Sequence, residues 1–157
     1  MTFNKGMVSR NKQDYNTPSK IYEYLDHEFH FDCDPCPVNN GSIVLKDGLG
    51  SDWGNSNFVN PPYRYIERWI KKGFEEWKKG KVVVFLIPVR TDTKWWQDII
   101  MNYAEKILFI RRRIRFSGAK WDAPFPSCVV VFRSNKSLIK FETLDLSCCF
   151  HGEDNVT

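Results

Sequence analysis

Apolar positions along this chain alternate between two rhythms, and each rhythm predicts an element. Val82 to Ile87 is an unbroken apolar run, the mark of a strand buried on both faces. Ile66, Trp69, Ile70, Phe74 and Trp77 recur at helical spacing, which predicts a helix over residues 65–79 laid one face down on a sheet. Thr17-Pro18 reads as a helix start, with Thr17 as cap, and Ile21, Tyr22 and Leu25 carry that helix to about His27. Strands are predicted over Phe29–Cys33, Phe58–Val59, Lys106–Ile110 and Cys128–Phe132, with an edge strand over Leu138–Phe141. A further helix is predicted over Asp92–Tyr103, where Trp95-Trp96 reads as a packing pair. Residues 35–56, rich in Pro, Gly and Asn, read as a loop-rich crossing. The alternation predicts a compact α/β fold, a mostly parallel sheet with helices on both faces. It occupies one domain over 15–142, between a flexible 1–14 segment and a 143–157 tail.

Composition narrows the class. A chain of 157 residues with 42% hydrophobic and 15% aromatic content builds one packed core, which excludes a disordered chain. No apolar run reaches membrane-spanning length and the first residues lack a signal-peptide core, so a cytoplasmic protein is expected. Five cysteines suit reduced thiols. Cys33 and Cys36 form a Cys-x-x-Cys pair, but neither the other cysteines nor His27, His30 and His151 supply a second half-site, so no metal is expected.

The net charge of +4 is mild and unevenly spread. Lys71, Lys72, Lys78, Lys79 and Lys81 read as a solvated helix face. Arg111, Arg112, Arg113, Arg115 and Lys120 lie among Ile110, Ile114 and Phe116 and make the better nucleic-acid candidate.

In parallel sheets ligands bind at the carboxyl ends of strands, where three loops should meet. They are Asp34-Pro35-Cys36-Pro37, Asn60-Pro61-Pro62-Tyr63 and Pro88-Val89-Arg90-Thr91. The second carries the chemistry. The Asn60 side-chain oxygen and a carbonyl bared by the stiff prolines can both accept hydrogen bonds from an NH2 group, freeing its lone pair for attack. Tyr63 offers a ring for a flipped-out base, with Trp121 or Phe125 as a ring on the base's other side. Asp34 reads equally as a ligand-binding acid and as a cap.

The ordered set of Asn16–Pro18, Phe31–Pro37, Asp47-Gly48-Leu49, Asp52-Trp53, Asn60–Tyr63, Leu86-Ile87-Pro88 and Arg113–Phe116 resembles the phage-type DNA N6-adenine methyltransferases, the small Dam-related family. The resemblance runs from about Tyr15 to Phe132. It implies a Rossmann-like methyltransferase fold, S-adenosylmethionine as donor and adenine in double-stranded DNA as acceptor. It also implies donor contacts from Tyr15, Thr17, Pro18, Asp34, Pro35, Cys36, Asp52 and Trp53, catalysis by Asn60, Pro61, Pro62 and Tyr63, and no general base. DNA contacts are expected from Arg111, Arg112, Arg113, Arg115, Lys120 and Phe125.

Two departures stand out. Pro37-Val38-Asn39-Asn40-Gly41 replaces the glycine-rich loop of larger methyltransferases, and residues 35–59 are too few for two complete strand–helix units. The ribose-binding acid is therefore unassigned, with Asp47 a weak candidate. The same motif serves cytosine N4 and glutamine amides, and a silent nucleic-acid-binding homologue would keep the fold. The sequence sets no oligomeric state.

Overall fold

The computed structural model describes residues 17–37, 47–134 and 138–147. Helix α1 spans Ser19–Phe29, buries Ile21, Leu25 and Phe29, and ends two residues beyond the expected point. Its end is set by His30, whose left-handed backbone (φ 47°) lets its N–H donate to the Asp26 carbonyl. The Asp26 carboxylate accepts from the Phe31 N–H at 2.8 Å and closes the turn. Thr17 does not cap this helix. Pro18 occupies the cap position, and its carbonyl takes the Ile21 and Tyr22 amides.

The helix consumes Phe29, and the strand expected over Phe29–Cys33 shrinks to a single bridge. Cys33 pairs in parallel with Asn57, and Pro35 follows too soon for the ladder to continue. The sheet proper begins at β1 (Ser56–Val59) and continues with β2 (Val82–Pro88), β3 (Lys106–Ile110), β4 (Ser127–Phe132) and β5 (Lys140–Leu144). Their order is β1-β2-β4-β3-β5.

The sheet is mixed, not mostly parallel. β1 with β2 and β3 with β5 run parallel, while β4 lies antiparallel between β2 and β3. An apolar run buried on both faces says that a strand is central and nothing of its direction. β4 returns because the Arg111–Pro126 segment is a long loop with no crossover helix.

Both faces of the sheet are covered, as the pattern predicted. Val83, Phe85 and Ile87 face helix α2 (Ile66–Lys78), Trp69, Trp95, Trp96 and Ile100. Val84 and Leu86 face Ile21, Leu25 and Phe29 of α1, with Ile114 and Phe116. Gly73 lets α2 settle directly on the Phe85 ring, where a Cβ would collide. Trp95 and Trp96 form a buried pair, the second opening a π turn (Trp96–Ile100) that runs into α3 (Met101–Tyr103). Each fully buried Val, Leu, Ile or Phe contributes about 1.5–3 kcal/mol, so the two layers fix the sheet rigidly. β5 runs past residue 142 and Leu144 and Leu146 are buried, so the body reaches Leu146. Residues 1–14 and 148–157 lie outside the described residues.

Candidate active site

Register places the carboxyl ends of β1, β2, β3 and β5 on one side, and the start of antiparallel β4 joins them there. Asn60–Tyr63, Val89-Arg90, Arg111–Arg115 and Phe125-Pro126 therefore share one edge, and the Val89 N–H donates to the Pro126 carbonyl. Asp34 arrives beside them because Cys33 is bridged to β1.

Asn60 sits one residue past β1, partly buried, and its Nδ2 donates to Thr17 Oγ1 at 3.2 Å. The residue expected to cap α1 thus orients the carboxamide, placing Oδ1 on the opposite branch. Pro62 gives its carbonyl to the Tyr65 N–H at 3.2 Å, which winds Tyr63–Tyr65 into a 3-10 turn. Among the described residues the buried Pro61 carbonyl accepts no hydrogen bond. Tyr63 meets Phe125 edge-on, ring centroids 4.8 Å apart and planes at 85°, and Phe116 at 6.5 Å. A base sandwiched between two rings needs about 7 Å between their planes. In this arrangement Phe125 braces Tyr63, and the space between the two rings is too narrow for a base. Trp121, 74% exposed, carries Lys120 on its ring at 5.4 Å.

Asp34 lies between the bridge and the turn Asp34–Pro37, and its Oδ1 accepts from the Cys36 N–H at 3.0 Å. The residue is exposed to solvent, yet the protein crowding around its carboxyl pushes its pKa up to about 6 despite that hydrogen bond. Among the described residues no cation pairs with it. Burial, then the charges of Asp26 and Asp34, raise the Tyr22 phenol pKa, which marks Tyr22 as Asp34's neighbour on α1. Tyr22 is a residue that the sequence reading used only as helix core. Pro35 is buried and its carbonyl meets Gly48 so closely that no side chain fits there. Cys33 and Cys128 are free thiols, the second pushed up to about 12 by burial. Among the described residues no cluster of His, Cys, Asp or Glu could hold a metal ion.

Asp52 and Trp53 stand elsewhere. Asp52 is exposed and bonded to Lys79 at 2.9 Å, at the end of α2 away from Asn60. The 13 residues of α2 put roughly 20 Å between its two ends. Trp53 is buried, its Nε1 donating to the Gly48 carbonyl at 2.6 Å and its ring stacked on Trp69. Glu76, which the sequence alone did not single out, holds Trp53 directly and Asp52 through Lys79. Its carboxylate has no exposed surface but lies shallowly, under the stems of Lys72, Lys79 and Lys81. Burial would raise its pKa; hydrogen bonds from the three lysines and the Trp53 N–H outweigh this and hold it at about 2. A Glu amid lysines at i−4, i+3 and i+5 was the readable signal.

The second basic cluster is used differently. Arg111 pairs with Asp145 at 2.9 Å and Arg115 with Asp122 at 2.8 Å. Arg112, Arg113 and Lys120 are exposed and, among the described residues, meet no carboxylate. Tyr15 lies outside the described residues, while Thr17 and Pro18 stand at the foot of α1 beside Asn60.

Known proteins extend this picture. The chain is 26% identical over 102 residues to a DNA N-6-adenine-methyltransferase of Escherichia phage T1, covering 59% of this chain and 43% of that relative. It is 28% identical over 113 residues to one of Haemophilus phage HP1 (strain HP1c1), covering 64% of each. The matches thus span less than two thirds of either relative's length. A family model described as DNA N-6-adenine-methyltransferase (Dam) matches residues 6–141, most of the chain and the whole of the edge just described. The protein belongs to the DNA N-6-adenine-methyltransferase (Dam) family.

Proposed function

We propose that the chain methylates the N6 amine of adenine in double-stranded DNA, on a Rossmann-like methyltransferase fold. The observation that carries this is Asn60, anchored by Thr17 at the carboxyl end of β1 beside the Pro61 carbonyl, in a chain of this family. S-adenosylmethionine, the donor that the family implies, supplies a methyl group on a sulfonium sulfur and leaves as a neutral thioether. The Asp34 carboxylate, which pairs with no cation among the described residues, suits such a cationic ligand, with Pro35 and Cys36 shaping the turn around it.

Asn60 Oδ1 and the Pro61 carbonyl accept the two N–H groups of the target amine. That draws the nitrogen lone pair out of the ring and aims it at the methyl carbon. The N–C bond forms as the C–S bond breaks, and the extra N–H proton then passes to water, so no general base is required. These two acceptors strengthen their hydrogen bonds as positive charge grows on nitrogen, which favours the transition state over the ground state. Tyr63, fixed by Phe125 and Phe116, gives the extruded base one stacking face. Trp53 acts from behind, by holding the Gly48 turn under Pro35, and Asp52 is tied to it through Lys79 and Glu76. Arg112, Arg113 and Lys120 take backbone phosphates, with Arg111 and Arg115 held back by their carboxylates.

Purified protein, methyl-labelled donor and three acceptors test this reading: adenine-containing duplex, duplex with cytosine as its only exocyclic amine base in one strand, and a glutamine-bearing peptide. Label in N6-methyladenine is expected. Label confined to N4-methylcytosine or to the peptide would replace the proposed substrate, and no donor binding by calorimetry would favour a silent homologue.

A further inference from the structure

The start of α2 carries a feature that the site above does not use. Arg64 and Arg68 both lay their guanidinium groups on the ring of Tyr65, at 5.3 and 5.4 Å from its centroid. Tyr65 is 44% exposed, and both arginines are exposed. Among the described residues neither arginine meets a carboxylate, whereas Lys71, Lys72, Lys78 and Lys79 further along the same helix all do.

This arrangement opposes stability. Two like charges four residues apart on a helix repel, and cations at a helix start oppose its dipole, each costing some tenths of a kcal/mol. The Tyr65 ring on the same turn stays 44% exposed, so its burial is partial. Yet the patch is ordered: the Tyr63–Tyr65 turn is closed by the Pro62 carbonyl, so Arg64 follows Tyr63 directly and moves with it.

We propose that Arg64, Tyr65 and Arg68 form a second DNA-contacting surface, on which the two guanidiniums bind backbone phosphates flanking the target adenine. The inference rests on the DNA reading above and names where that partner is gripped. A guanidinium on a ring face is weakly hydrated and keeps its in-plane N–H fork free for phosphate oxygens. Tyr65 holds both groups in a narrow set of rotamers, which reduces the entropy lost on binding. The phosphates engaged are near the pocket because Tyr63 and Tyr65 share one turn. Arg112 and Arg113 approach from the end of β3, so the target nucleotide would be held from two elements.

The test measures binding of the full chain to a fluorescein-labelled mixed-sequence duplex of roughly 30 base pairs, by anisotropy across a salt series, alongside donor affinity by calorimetry. Arg64→Ala/Arg68→Ala should lower the salt slope by about two, Arg64→Lys/Arg68→Lys should restore it, and donor affinity should not move. Tyr65→Ala should weaken binding several-fold while keeping most of the slope, because the charges remain and only their preorganisation is lost. An unchanged slope in the double alanine variant, with Arg112→Ala/Arg113→Ala still lowering it, would overturn the patch and leave the DNA reading standing. A fall in donor affinity instead would assign the patch to the donor and overturn the proposal. No measurable duplex binding by the wild type would remove the DNA reading itself and the patch with it.

Discussion

Two basic clusters look alike in the sequence and serve different ends in the structure. Lys71, Lys72, Lys78, Lys79 and Lys81 are all ion-paired, and three of them converge on the covered carboxylate of Glu76. Among the described residues, Arg111 and Arg115 are the paired members of the Arg111–Lys120 cluster, and the cations between and beyond them are exposed. Positive charge is therefore internal cement at one end of α2 and an open surface at the strand carboxyl ends. Counting lysines and arginines cannot separate the two. Asking where each carboxylate lies can, since a charge already neutralised at close range adds little to the field a polyanion meets.

The largest expected effect belongs to the open end. Asn60→Ala should lower methyl-transfer turnover about a hundred- to a thousand-fold, since it removes one acceptor of the developing charge. Donor affinity should stay within about two-fold, because in the proposed reaction Asn60 binds the target amine and not the donor. Single-turnover kinetics with calorimetry reads both; a matched loss of donor affinity would mean that Asn60 shapes the donor site.

At the cemented end, Glu76→Ala should cost about 2 kcal/mol in urea unfolding, since it removes the shared acceptor of Lys72, Lys79, Lys81 and the Trp53 N–H. The salt slope for DNA should not change. Glu76 has its folded pKa lowered from 4.5 to about 2, so its contribution is full above pH 4.5 and is lost as pH falls towards 2. Acid titration of stability in wild type and Glu76→Gln should converge over that window. A DNA-binding defect in a stably folded Glu76 variant would break the division between the clusters.

Asp34 should behave in the opposite sense. Its folded pKa is raised from 3.8 to about 6, so its stability contribution is full below pH 3.8 and is lost as pH rises through 6. Asp34→Asn should therefore gain stability at pH 7, by at most about 1 kcal/mol given its exposure, and gain nothing at pH 3. The same change should weaken donor binding, and wild-type donor affinity should rise with pH through about 6. Donor affinity that is flat across this range and indifferent to the substitution would leave Asp34 as a turn cap.

The smallest effects separate members of the arginine cluster. Arg112→Ala and Arg113→Ala should each reduce the salt slope by about one, and Arg111→Ala and Arg115→Ala by less, because their carboxylates already claim them. Equal slopes across all four would mean that DNA displaces Asp145 and Asp122.

Much of this was legible in the chain. β2, β3, β4 and α2 follow from apolar runs and helical spacing to within a residue or two, because burial on both sheet faces is the strongest constraint on those segments. Strand direction was not legible, since a run such as Cys128–Phe132 is buried whichever way it points. Phe29 was misassigned because an apolar residue at a helix end and at a strand start look the same; His30's left-handed turn decided it. At the site, Asn60, Asp34 and the arginine edge were proposed from local chemistry, and the structure brings them to one edge of the sheet. Thr17's bond to Asn60 and Glu76's hold on Trp53 span long stretches of chain, and no local pattern encodes them.

The most direct test of the central claim is mass spectrometry of plasmid DNA from cells that lack other adenine methylation and express either wild type or Asn60→Ala at equal levels. N6-methyladenine is predicted in the first and at a far lower level in the second. Equal N6-methyladenine in both, or a wild type that binds donor and duplex yet leaves every adenine unmodified, would contradict the assignment of adenine methylation to the Asn60 corner.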